Sequence, residues 1–534
     1  MKRFFAFIVV AFFIFYGPTM AQTPVIENRG PVIDNFNNSC EQVSFIQNDG
    51  HTANFYFSSI GNSKKADQQA IISYNLNNNH TVEKTITTPF GYHHLYTNQP
   101  IHEESENGLI SYYYRVNHET QNFEYAIAEI NNLSKNNAFS ITPKQRLTLH
   151  LSGRGEVMKY IAISPDTSKY AINFIVPNDK NQAPYFYTFV YDNNGKELWY
   201  NKFIPQISGS KFSVQDVQLD NNGSLLLLLY SSRGKNQVVF EPTVQLFICK
   251  KDTTLEASQP IDFGYITSMK LLQMKSKDYF IGGYYEAENK GYSSGYFNIT
   301  FDDYTLKTIS QMYAPFAVGK QKEIFDDIED DEYFVKCDYI YELGEKTIVM
   351  LGEQFTSLID GKNYIHHMND IFVNKFMLDG KDMGYNRINK HQQLSTSAAV
   401  SSHSYGERIS GTFLNEKGEP ERIASFHELS LSYYPIRKGD QIYVLYTDKA
   451  SNYREEQQNI ESANIQHPEE LCVALAKINY NMDKKVILLP ESKSDQLFRG
   501  IMLNDDNTIY FGMAGKKNFS IEHFDLNERW SWDK

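Results

Sequence analysis

Cysteine and tryptophan are scarce in this sequence. Its 534 residues include four cysteines and three tryptophans. Cys40, Cys249, Cys337 and Cys472 lie far apart and make no CxxC pair, so neither a disulfide-stapled domain nor a cysteine zinc site is indicated, although their disulfide state stays open. Cys249 and Cys472 stand in strand-like runs, and we expect them to be buried thiols that pack as small apolar residues.

Catalytic and nucleotide-binding motifs are also lacking. No HExxH, GxxxxGKS/T or GxGxxG pattern occurs, and we expect no nucleophile elbow, so zinc proteases, phosphate loops, dinucleotide domains and serine hydrolases are not indicated. Basic clusters are missing too, and the formal net charge is −13 at pH 7. A surface of this charge repels phosphate backbones, and nucleic acid is therefore not an expected partner.

Long apolar runs are limited to the N-terminus. Lys2 and Arg3 precede the uncharged run Phe4 to Tyr16, which is followed by a Gly-Pro break and by small residues up to Ala21. This order is typical of a secretory signal peptide, and we predict cleavage after Ala21. A membrane anchor is disfavoured because the run is shorter than the roughly 20 residues that a spanning helix needs. We therefore predict a secreted or periplasmic protein with no transmembrane segment after signal removal.

Aromatic, strand-like segments are abundant. The chain has 37 tyrosines and 36 phenylalanines, residues that pack well on a pleated sheet. A unit of two apolar runs recurs along the chain. A polar loop separates the two runs, and the second run ends at an Asp or Asn residue near a Gly. Five copies span Thr167 to Trp199, Gly223 to Asp252, Lys277 to Lys307, Lys346 to Asp382 and Asn507 to Asn527. Such a unit must stack on copies of itself to bury its faces, and spacings of roughly 50 to 60 residues predict a propeller or array.

Three further pairs of strand-like runs extend this series of hairpins. They are His51 to Ser59 with Ala70 to Leu76, Leu109 to Val116 with Tyr125 to Ile130, and Gln441 to Thr447 with Leu471 to Tyr480. A propeller blade has four strands, so we expect each hairpin to be the middle pair between an inner and an outer strand. The predicted fold is all-β, a single β-propeller of seven or eight four-stranded antiparallel blades. An open array or two smaller β-domains are the alternatives.

The predicted division of the chain has three parts. Residues 1–21 form the signal peptide, residues 22–48 a polar linker with a possible ring-closing strand near Val43 to Gln47, and residues 49–534 the propeller domain. An insertion at about 447–470 contains the best helix candidate, Tyr453 to Ala463, whose all-round polarity is typical of a surface segment. The irregular stretch from Gln392 to Phe426 is either a loop or a weak blade, which leaves the blade number open.

Two phrases resemble turns of known propellers. SPDTSKYAI, at Ser164 to Ile172, resembles the turn that enters the second strand of a blade in bacterial secreted β-propellers. YDNNGKELW, at Tyr191 to Trp199, resembles the turn and outer strand that leave its third strand. The resemblance extends over about Ala53 to Leu526. It implies the propeller architecture and no activity, because a fold alone does not imply a function.

Acidic and histidine-rich spots are the candidates for metal or acid-base chemistry. The run from Asp326 to Glu332 has six carboxylates in seven positions, but it lacks the spacing of a calcium loop and is more typical of a solvated loop. The histidine spots are His93-His94, His102 beside Glu103 and Glu104, and His366-His367 near Asp370. Adjacent histidines on a strand point to opposite faces, so neither pair chelates one ion without a ligand from elsewhere. We therefore predict no metal site, no cofactor and no catalytic residue.

Tyrosine runs offer either a binding surface or core packing. The runs are Tyr112-Tyr113-Tyr114, Tyr284-Tyr285 with Tyr292 and Tyr296, and Tyr433-Tyr434. Exposed rings would stack on sugars, peptides or other proteins. Buried rings would instead fill the space between blades, and this is the interpretation we favour.

The function expected from these observations is that of a binding or scaffold module. Its ligand, a protein, peptide or glycan, would sit at one end of the central channel or on the loop-rich face, where the insertion contributes. The alternative is a polysaccharide-active enzyme, a hydrolase or lyase, on the same propeller, and a third possibility is a structural part of a surface assembly. An enzyme needs carboxylates converging in a funnel, a binder needs exposed rings, and a structural part needs an apolar flank.

Overall fold

The computed structural model describes most of residues 92–478. The gaps in that range are 99–108, 118, 131–138, 141–143, 152–156, 167, 177, 179–182, 207–210, 233–241, 288–292, 317–333, 345, 361–362, 397–412, 415–419, 422–432, 454–462 and 465–469. On either side of the range it describes individual strands by their backbone alone.

The described strands form eight antiparallel sheets of four or more strands, and the fold is a single all-β propeller. Six of the sheets have four strands in all, one has a fifth strand, and one is enlarged by two further strands. Each hairpin predicted from the sequence is the middle pair of its blade, as expected. The propeller prediction is confirmed, and the described strands make up eight blades, which we number in chain order.

Blades 1 to 4 occupy the first half of the chain. After the short strand β1, Ile33–Asp34, blade 1 has β2, Gln42–Asn48, β3, Thr52–Ser59, β4, Gln68–Asn75, and β5, His80–Thr87. Blade 2 has β6, His93–Asn98, β7, Leu109–Asn117, β8, Asn122–Ile130, and β10, Lys144–His150, while β9, Phe139–Ser140, pairs with β5. Blade 3 has β11, Met158–Ile163, β12, Lys169–Val176, β13, Tyr185–Asp192, and β14, Glu197–Phe203. Blade 4 has β15, Lys211–Leu219, β16, Leu225–Ser232, β17, Thr243–Cys249, and β18, Thr254–Pro260.

Blades 5 to 8 complete the ring. Blade 5 has β19, Tyr265–Gln273, β20, Tyr279–Glu286, β21, Gly295–Phe301, and β22, Thr308–Pro315. Blade 6 has β23, Phe334–Leu343, β24, Thr347–Asp360, β25, Asn363–Met377, β26, Asp382–Ile388, and the added strand β27, Gln392–Thr396. After the short strands β28, Phe413–Leu414, and β29, Pro420–Glu421, blade 7 has β30, Tyr433–Lys438, β31, Gln441–Lys449, β33, Leu471–Ile478, and β34, Lys484–Leu488, while β32, Ala463–Asn464, joins blade 6. Blade 8 has β35, Leu497–Leu503, β36, Thr508–Ala514, and β37, Asn518–Asp525.

An N-terminal strand closes the ring. β1 pairs antiparallel with β37, with Ile33 opposite Phe519, and so supplies the fourth, outer strand of blade 8. The next strand, β2, is the inner strand of blade 1 and lies beside β35 of blade 8. Closure by Val43 to Gln47 is therefore wrong. Those residues pair along their length with β3, the partner that follows them directly in sequence, and only the earlier, shorter segment is left to reach blade 8.

The stretch from Gln392 to Phe426 does not form a blade of its own. β27 pairs with β25 and joins blade 6, β28 and β29 form a short hairpin, and the remainder lies outside the described residues. The predicted helix from Tyr453 to Ala463 also falls mostly outside them, and a 3-10 turn occupies Ala450–Tyr453. Within the described parts of the chain, no helix is long and apolar enough to cross a membrane.

The apolar core lies between the blades. On β12, Ile172 and Phe174 face blade 2, whereas Ala171 and Ile175, on the opposite side of the same strand, face blade 4. The interfaces of blades 4 with 5, 5 with 6 and 6 with 7 are built in the same way. Because strands buried on both faces are apolar at nearly every position, β16 has the sequence LLLLLYSS.

Tyrosines fill the interface between blades 2 and 3. Tyr112 and Tyr125 of blade 2 pack against Tyr170 and Tyr191 of blade 3, and the Tyr112 ring centroid lies 5.7 Å from that of Tyr170 and 5.3 Å from that of Tyr191. The hydroxyls of Tyr125 and Tyr191 are hydrogen-bonded at 3.1 Å, and those of Tyr112 and Tyr170 also contact each other. Burial raises the pKa of Tyr125. Pairing of the hydroxyls satisfies polar groups that would otherwise be buried alone.

The glycine turns adopt the conformations expected of them. Gly195 and Gly223 have φ angles of +77° and +83°, a region that glycine enters without steric cost. Neighbouring turns are also joined across blades. Asn221 Oδ1 accepts the backbone N–H of Asp166 at 3.0 Å, and the Trp199 indole donates to the Gly223 carbonyl at 3.0 Å. The turns of blades 3 and 4 therefore form one hydrogen-bonded surface.

Side chains of one blade cap the inner edge of the next. Asp216 on β15 accepts the backbone N–H of Leu271 on β19 at 3.0 Å and a hydrogen bond from the Lys270 ammonium at 3.1 Å. Ser268 on β19 in turn accepts the backbone N–H of Cys337 on β23 at 3.0 Å. Burial lowers the pKa of Lys270, but the Asp216 carboxylate more than offsets this and the net pKa is raised. These contacts satisfy strand edges that would otherwise carry unpaired backbone groups.

Removing β1 is expected to weaken ring closure. A chain starting at residue 38 lacks β1, whereas a control chain starting at residue 28 retains it. We expect the shorter chain to lose about 1–3 kcal/mol of unfolding free energy in urea, since it loses strand pairing and exposes the edge of β37. It should also associate through that edge in size-exclusion chromatography. Equal stability of the two chains would contradict closure by β1.

Substituting Asp216 tests the capping of the inner edges. In Asp216→Ala the Lys270 ammonium and the Leu271 N–H lose their acceptor, and we expect a loss of about 2–4 kcal/mol in urea unfolding. Asp252, exposed in the turn between β17 and β18, provides the matched control, and Asp252→Ala should change stability by less than about 0.5 kcal/mol. Similar losses in both variants would show that Asp216 has no special structural role.

Candidate functional site

The two faces of the ring differ in the elements they carry. In a four-stranded meander the first and third turns lie on one face, and the second turn and the link to the next blade lie on the other. We call the first the turn face, represented in blade 5 by residues 274–278 and 302–307. The other is the loop face, represented by the links 261–264 and 389–391. Backbone hydrogen bonds close the turns on the turn face, as between Asp302 and Lys307 at 2.9 Å.

Blade 6 departs from the repeat on the loop face. β24 and β25 have 14 and 15 residues, whereas the middle strands of blade 5 have 8 and 7. β27 pairs with the overhanging part of β25, from Tyr364 opposite Thr396 to Met368 opposite Gln392, and β32 adds to β27 in parallel. Residues 355–360, 363–368, 392–396 and 463–464 together form the blade 6 extension.

A buried ion pair anchors this extension. The Lys390 ammonium contacts the Glu353 carboxylate and donates a hydrogen bond to Gln392 Oε1 at 3.0 Å. Lys390 and Glu353 are only 1% and 3% exposed. The Gln392 amide in turn donates to the Thr447 carbonyl of blade 7. Removing either charge would leave its partner buried without compensation, so the pair holds the extension against blades 6 and 7.

A second ion pair fixes the link 389–391. Arg387 Nη1 lies 2.9 Å from Asp370 Oδ2, and Asp370 Oδ1 accepts the backbone N–H of Lys390 at 3.2 Å. The backbone on both sides of residue 389 is thereby tied to β25. Asp370, which the sequence placed near a histidine pair, is a structural residue of this link.

The link brings two histidines together. His391 Nε2 lies 3.4 Å from His367 Nδ1, and the ring centroids are 5.6 Å apart. Both rings are partly buried. Burial, together with His367 and Lys390, lowers the pKa of His391 to about 4. The sequence singled out His367 but not His391, because only the pairing of β27 with β25 brings the two residues side by side.

An aromatic ledge occupies the same face at the junction of blades 4 and 5. The Phe263 and Tyr313 rings stack with their centroids 5.0 Å apart, and Tyr285 packs edge-on against Phe263 at 5.1 Å. Tyr313 is 54% exposed, and Tyr265, at the start of β19, is 41% exposed. Phe263, Tyr265, Tyr285 and Tyr313 define the ledge. Exposed rings held by rigid neighbours are suited to stacking on sugars or peptides.

The tyrosine runs noted in the sequence are core residues. Those buried are Tyr112, Tyr113, Tyr114, Tyr284, Tyr285, Tyr296 and Tyr433. This confirms the packing interpretation for them, while Tyr434 is half-buried and Tyr292 lies outside the described residues. The sequence analysis considered runs of tyrosines and therefore did not identify Tyr265 and Tyr313, which stand alone in the sequence. Whether these two rings are exposed depends on the packing of neighbouring blades, which the sequence does not show.

Three carboxylates gather on the turn face of blade 5. Asp278, Asp302 and Asp303 have oxygen atoms within 4.8 Å of one another. The backbone N–H of Asp303 donates to Asp278 at 3.2 Å. Hydrogen bonds from Thr305 lower the pKa of Asp302. The three carboxylates therefore lie together because Asp278 and Asp302 accept hydrogen bonds within and between two adjacent turns.

Several sequence candidates have no described side chains. The acidic run from Asp326 to Glu332, and His102 with Glu103 and Glu104, lie outside the described residues altogether. For His93, His94 and His366 the structure gives only the strands, β6 and β25, to which they belong. Chemistry at these positions stays untested.

Ser293 shows why a sequence pattern alone does not make a nucleophile. Gly291 to Gly295 has the GxSxG spacing, contrary to our expectation that no elbow would occur. Ser293 is fully buried, and its hydroxyl accepts the backbone N–H of Val335 in blade 6 at 2.8 Å. It lies just before β21 and not between a strand and a helix, as a nucleophile elbow requires. Its role is to join blades 5 and 6.

The described cysteines are buried. They are Cys249, Cys337 and Cys472, which confirms the packing interpretation for Cys249 and Cys472. Burial raises the pKa of Cys249 to about 12, and burial likewise raises that of Cys337. Such thiols are not nucleophiles at neutral pH. Cys40 lies outside the described residues.

No protein-family model and no curated protein matches this sequence. Solved structures with a similar fold include the polysaccharide lyase Uly1, at 10% identity over 96% of this chain and 94% of that one, with a TM-score of 0.37. The β-propeller domain of the Trilobed protease from Pyrococcus furiosus aligns at 9% identity over 66% of this chain and 96% of the domain, with a TM-score of 0.31. An α-L-arabinofuranosidase from Fusarium graminearum aligns at 11% identity over 70% and 94%, with a TM-score of 0.29. Values this low carry no argument about activity or site.

The lowered pKa of His391 predicts a pH-dependent stability. The unfolded chain takes up a proton on this histidine below about pH 6.5, whereas the folded chain does so only near pH 4. The stabilisation is therefore present above pH 6.5 and is lost as the pH falls towards 4. In EDTA, we expect His391→Gln to lose about 2–3 kcal/mol less than the unsubstituted protein between pH 7.5 and pH 4.5. Urea unfolding at the two pH values measures this, and identical losses would contradict it.

Proposed function

We propose that this chain is an exported β-propeller that binds a protein, peptide or glycan on its loop face, across blades 5 and 6. The contrast between the two faces carries this proposal. Short hydrogen-bonded turns close the described turn face of blades 3 to 5, whereas the loop face displays the aromatic ledge and the blade 6 extension. In repeat proteins, insertions into single repeats gather on one face, and that face is often the binding face.

Preorganisation of the blade 6 extension supports a binding role. The Lys390–Glu353 and Arg387–Asp370 pairs fix the extension, and ring closure between β1 and β37 does not involve them. Buried ion pairs contribute little net stability compared with apolar packing. Their use here is explained by the need to hold a defined surface, because a rigid site loses less conformational entropy when a ligand binds.

A binding role is favoured over the alternative of a polysaccharide-active enzyme. Catalysis of that kind requires carboxyl groups that face substrate and exchange protons with it. Among the described residues, the buried Asp216 and Glu353 and the half-buried Asp370 are each held by a cation, Lys270, Lys390 and Arg387 respectively. These three carboxylates serve the structure.

Two exposed tyrosines on opposite faces test the proposal. The mature chain, starting at residue 22, is screened on glycan and peptide arrays, and hits are titrated with Tyr313→Ala and with Tyr304→Ala. Tyr304 is 91% exposed in the turn between β21 and β22, on the turn face. We expect Tyr313→Ala to weaken binding by about tenfold, since it removes the exposed ring of the ledge. Tyr304→Ala should leave binding unchanged.

The opposite pattern would place the binding site on the turn face and overturn the proposal. Failure of every array ligand to bind would also count against it. Release of oligosaccharides from a polysaccharide substrate during the same incubations would instead favour the enzyme alternative.

A further inference from the structure

We propose that His367 and His391 form a binding site for a divalent transition-metal ion of the zinc class. The two nitrogens, His367 Nδ1 and His391 Nε2, lie 3.4 Å apart. An ion bound tetrahedrally at the usual zinc–nitrogen distance of about 2.0–2.1 Å separates two ligand nitrogens by about 3.3–3.4 Å. The pair therefore already has the spacing of two ligands of one zinc ion.

The spacing fits chelation as well as it fits the long hydrogen bond between the rings. Hydrogen bonds donated by N–H groups have typical lengths of about 2.7–3.2 Å, and the 3.4 Å separation of His391 Nε2 and His367 Nδ1 is longer. The ring planes are also inclined by 53°, so the rings do not stack. Imidazole nitrogens are favoured ligands of zinc, copper and nickel ions.

The backbone around both histidines is fixed. His367 lies on β25 opposite Gln393 of β27. His391 directly follows Lys390, whose backbone N–H is bound by Asp370 and whose ammonium contacts Glu353. The Lys390 ammonium is held away from solvent in this pair with Glu353. One ligand on a strand and one in an anchored link keep their geometry without the entropic cost of ordering a mobile loop.

An amide oxygen that is able to coordinate a metal ion lies near His367 in the sequence. Asn369, two residues after His367 on β25, has a buried Oδ1 atom without a hydrogen-bond partner among the described residues. Buried polar atoms nearly always have partners, and water or a polar ligand would satisfy this one. The two imidazoles are partly exposed, and the remaining coordination positions of the ion are accessible to water or to a donor atom of a bound molecule.

The sequence argued against a metal at the adjacent pair His366-His367, since neighbours on a strand point apart. The structure supplies the missing second ligand in His391. The proposed metal site goes beyond the proposed binding function, because the two imidazoles would take the ion whether or not a macromolecule docks on the loop face.

Zinc titration of the untagged mature chain tests this site. The protein is stripped with EDTA, exchanged into chelator-free buffer at pH 7.5, and titrated with ZnCl₂ in an isothermal calorimeter. His367→Gln and His391→Gln each remove one ligand and should weaken the site by at least about tenfold. His150→Gln is the matched control: His150 is exposed on β10 and contacts Asn122, and its substitution should leave zinc binding unchanged.

A second readout distinguishes loss of a ligand from loss of folding. With one equivalent of Cu²⁺, the electron paramagnetic resonance spectrum of the unsubstituted chain should show coupling to two imidazole nitrogens, and each single variant should show one fewer. Circular dichroism of each variant verifies that the sheets persist. Absence of zinc binding to the unsubstituted chain would overturn the proposal, as would zinc affinity and copper coupling that are the same in all four proteins.

Discussion

Each blade of this propeller has two apolar faces, and each face must be covered by a neighbouring blade. This constraint explains why Ile172 and Ala171, adjacent on one strand, belong to different interfaces. It also requires the series of blades to close, since an open series would leave one blade at each end exposed. The short strand β1 provides that closure by pairing with β37. Asp216 and Ser268 complete the ring on the inside by capping the backbone of the next blade.

Much of the fold could be predicted because it depends on local sequence. Continuous apolar runs such as β16 mark the strands, and the glycines at positions 195 and 223 mark turns that need positive φ angles. Long-range pairing could not be predicted in the same way. The identity of the closing strand depends on whether Ile33 or Val43 reaches blade 8, and the assignment of β27 to blade 6 depends on the overhang of β25. The partner of Ile33 lies hundreds of residues away in the sequence, and the partner of β27 lies tens of residues away.

The candidate site was predictable only in part, for the same reason. Sequence reasoning left the ligand at one end of the channel or on the loop-rich face and noted His367 and Asp370. It could not pair His367 with His391 or Asp370 with Arg387, because those contacts form in an enlarged sheet. It also favoured burial for the tyrosine runs, which is correct, and overlooked the isolated exposed rings of the ledge. The loop face of blades 5 and 6 is therefore where the molecule departs from its own repeat.

Hydrogen exchange across β25 and β27 tests most directly whether the blade 6 extension is a preorganised part of the fold. Mass spectrometry would compare the amides of residues 364–368 and 392–396 with those of the middle strands of blade 5. If the two ion pairs hold the extension as described, its amides should exchange on the slow timescale of the blade strands. Exchange as fast as that of an exposed loop would contradict the account, because the loop face would then have no fixed surface for a ligand or an ion.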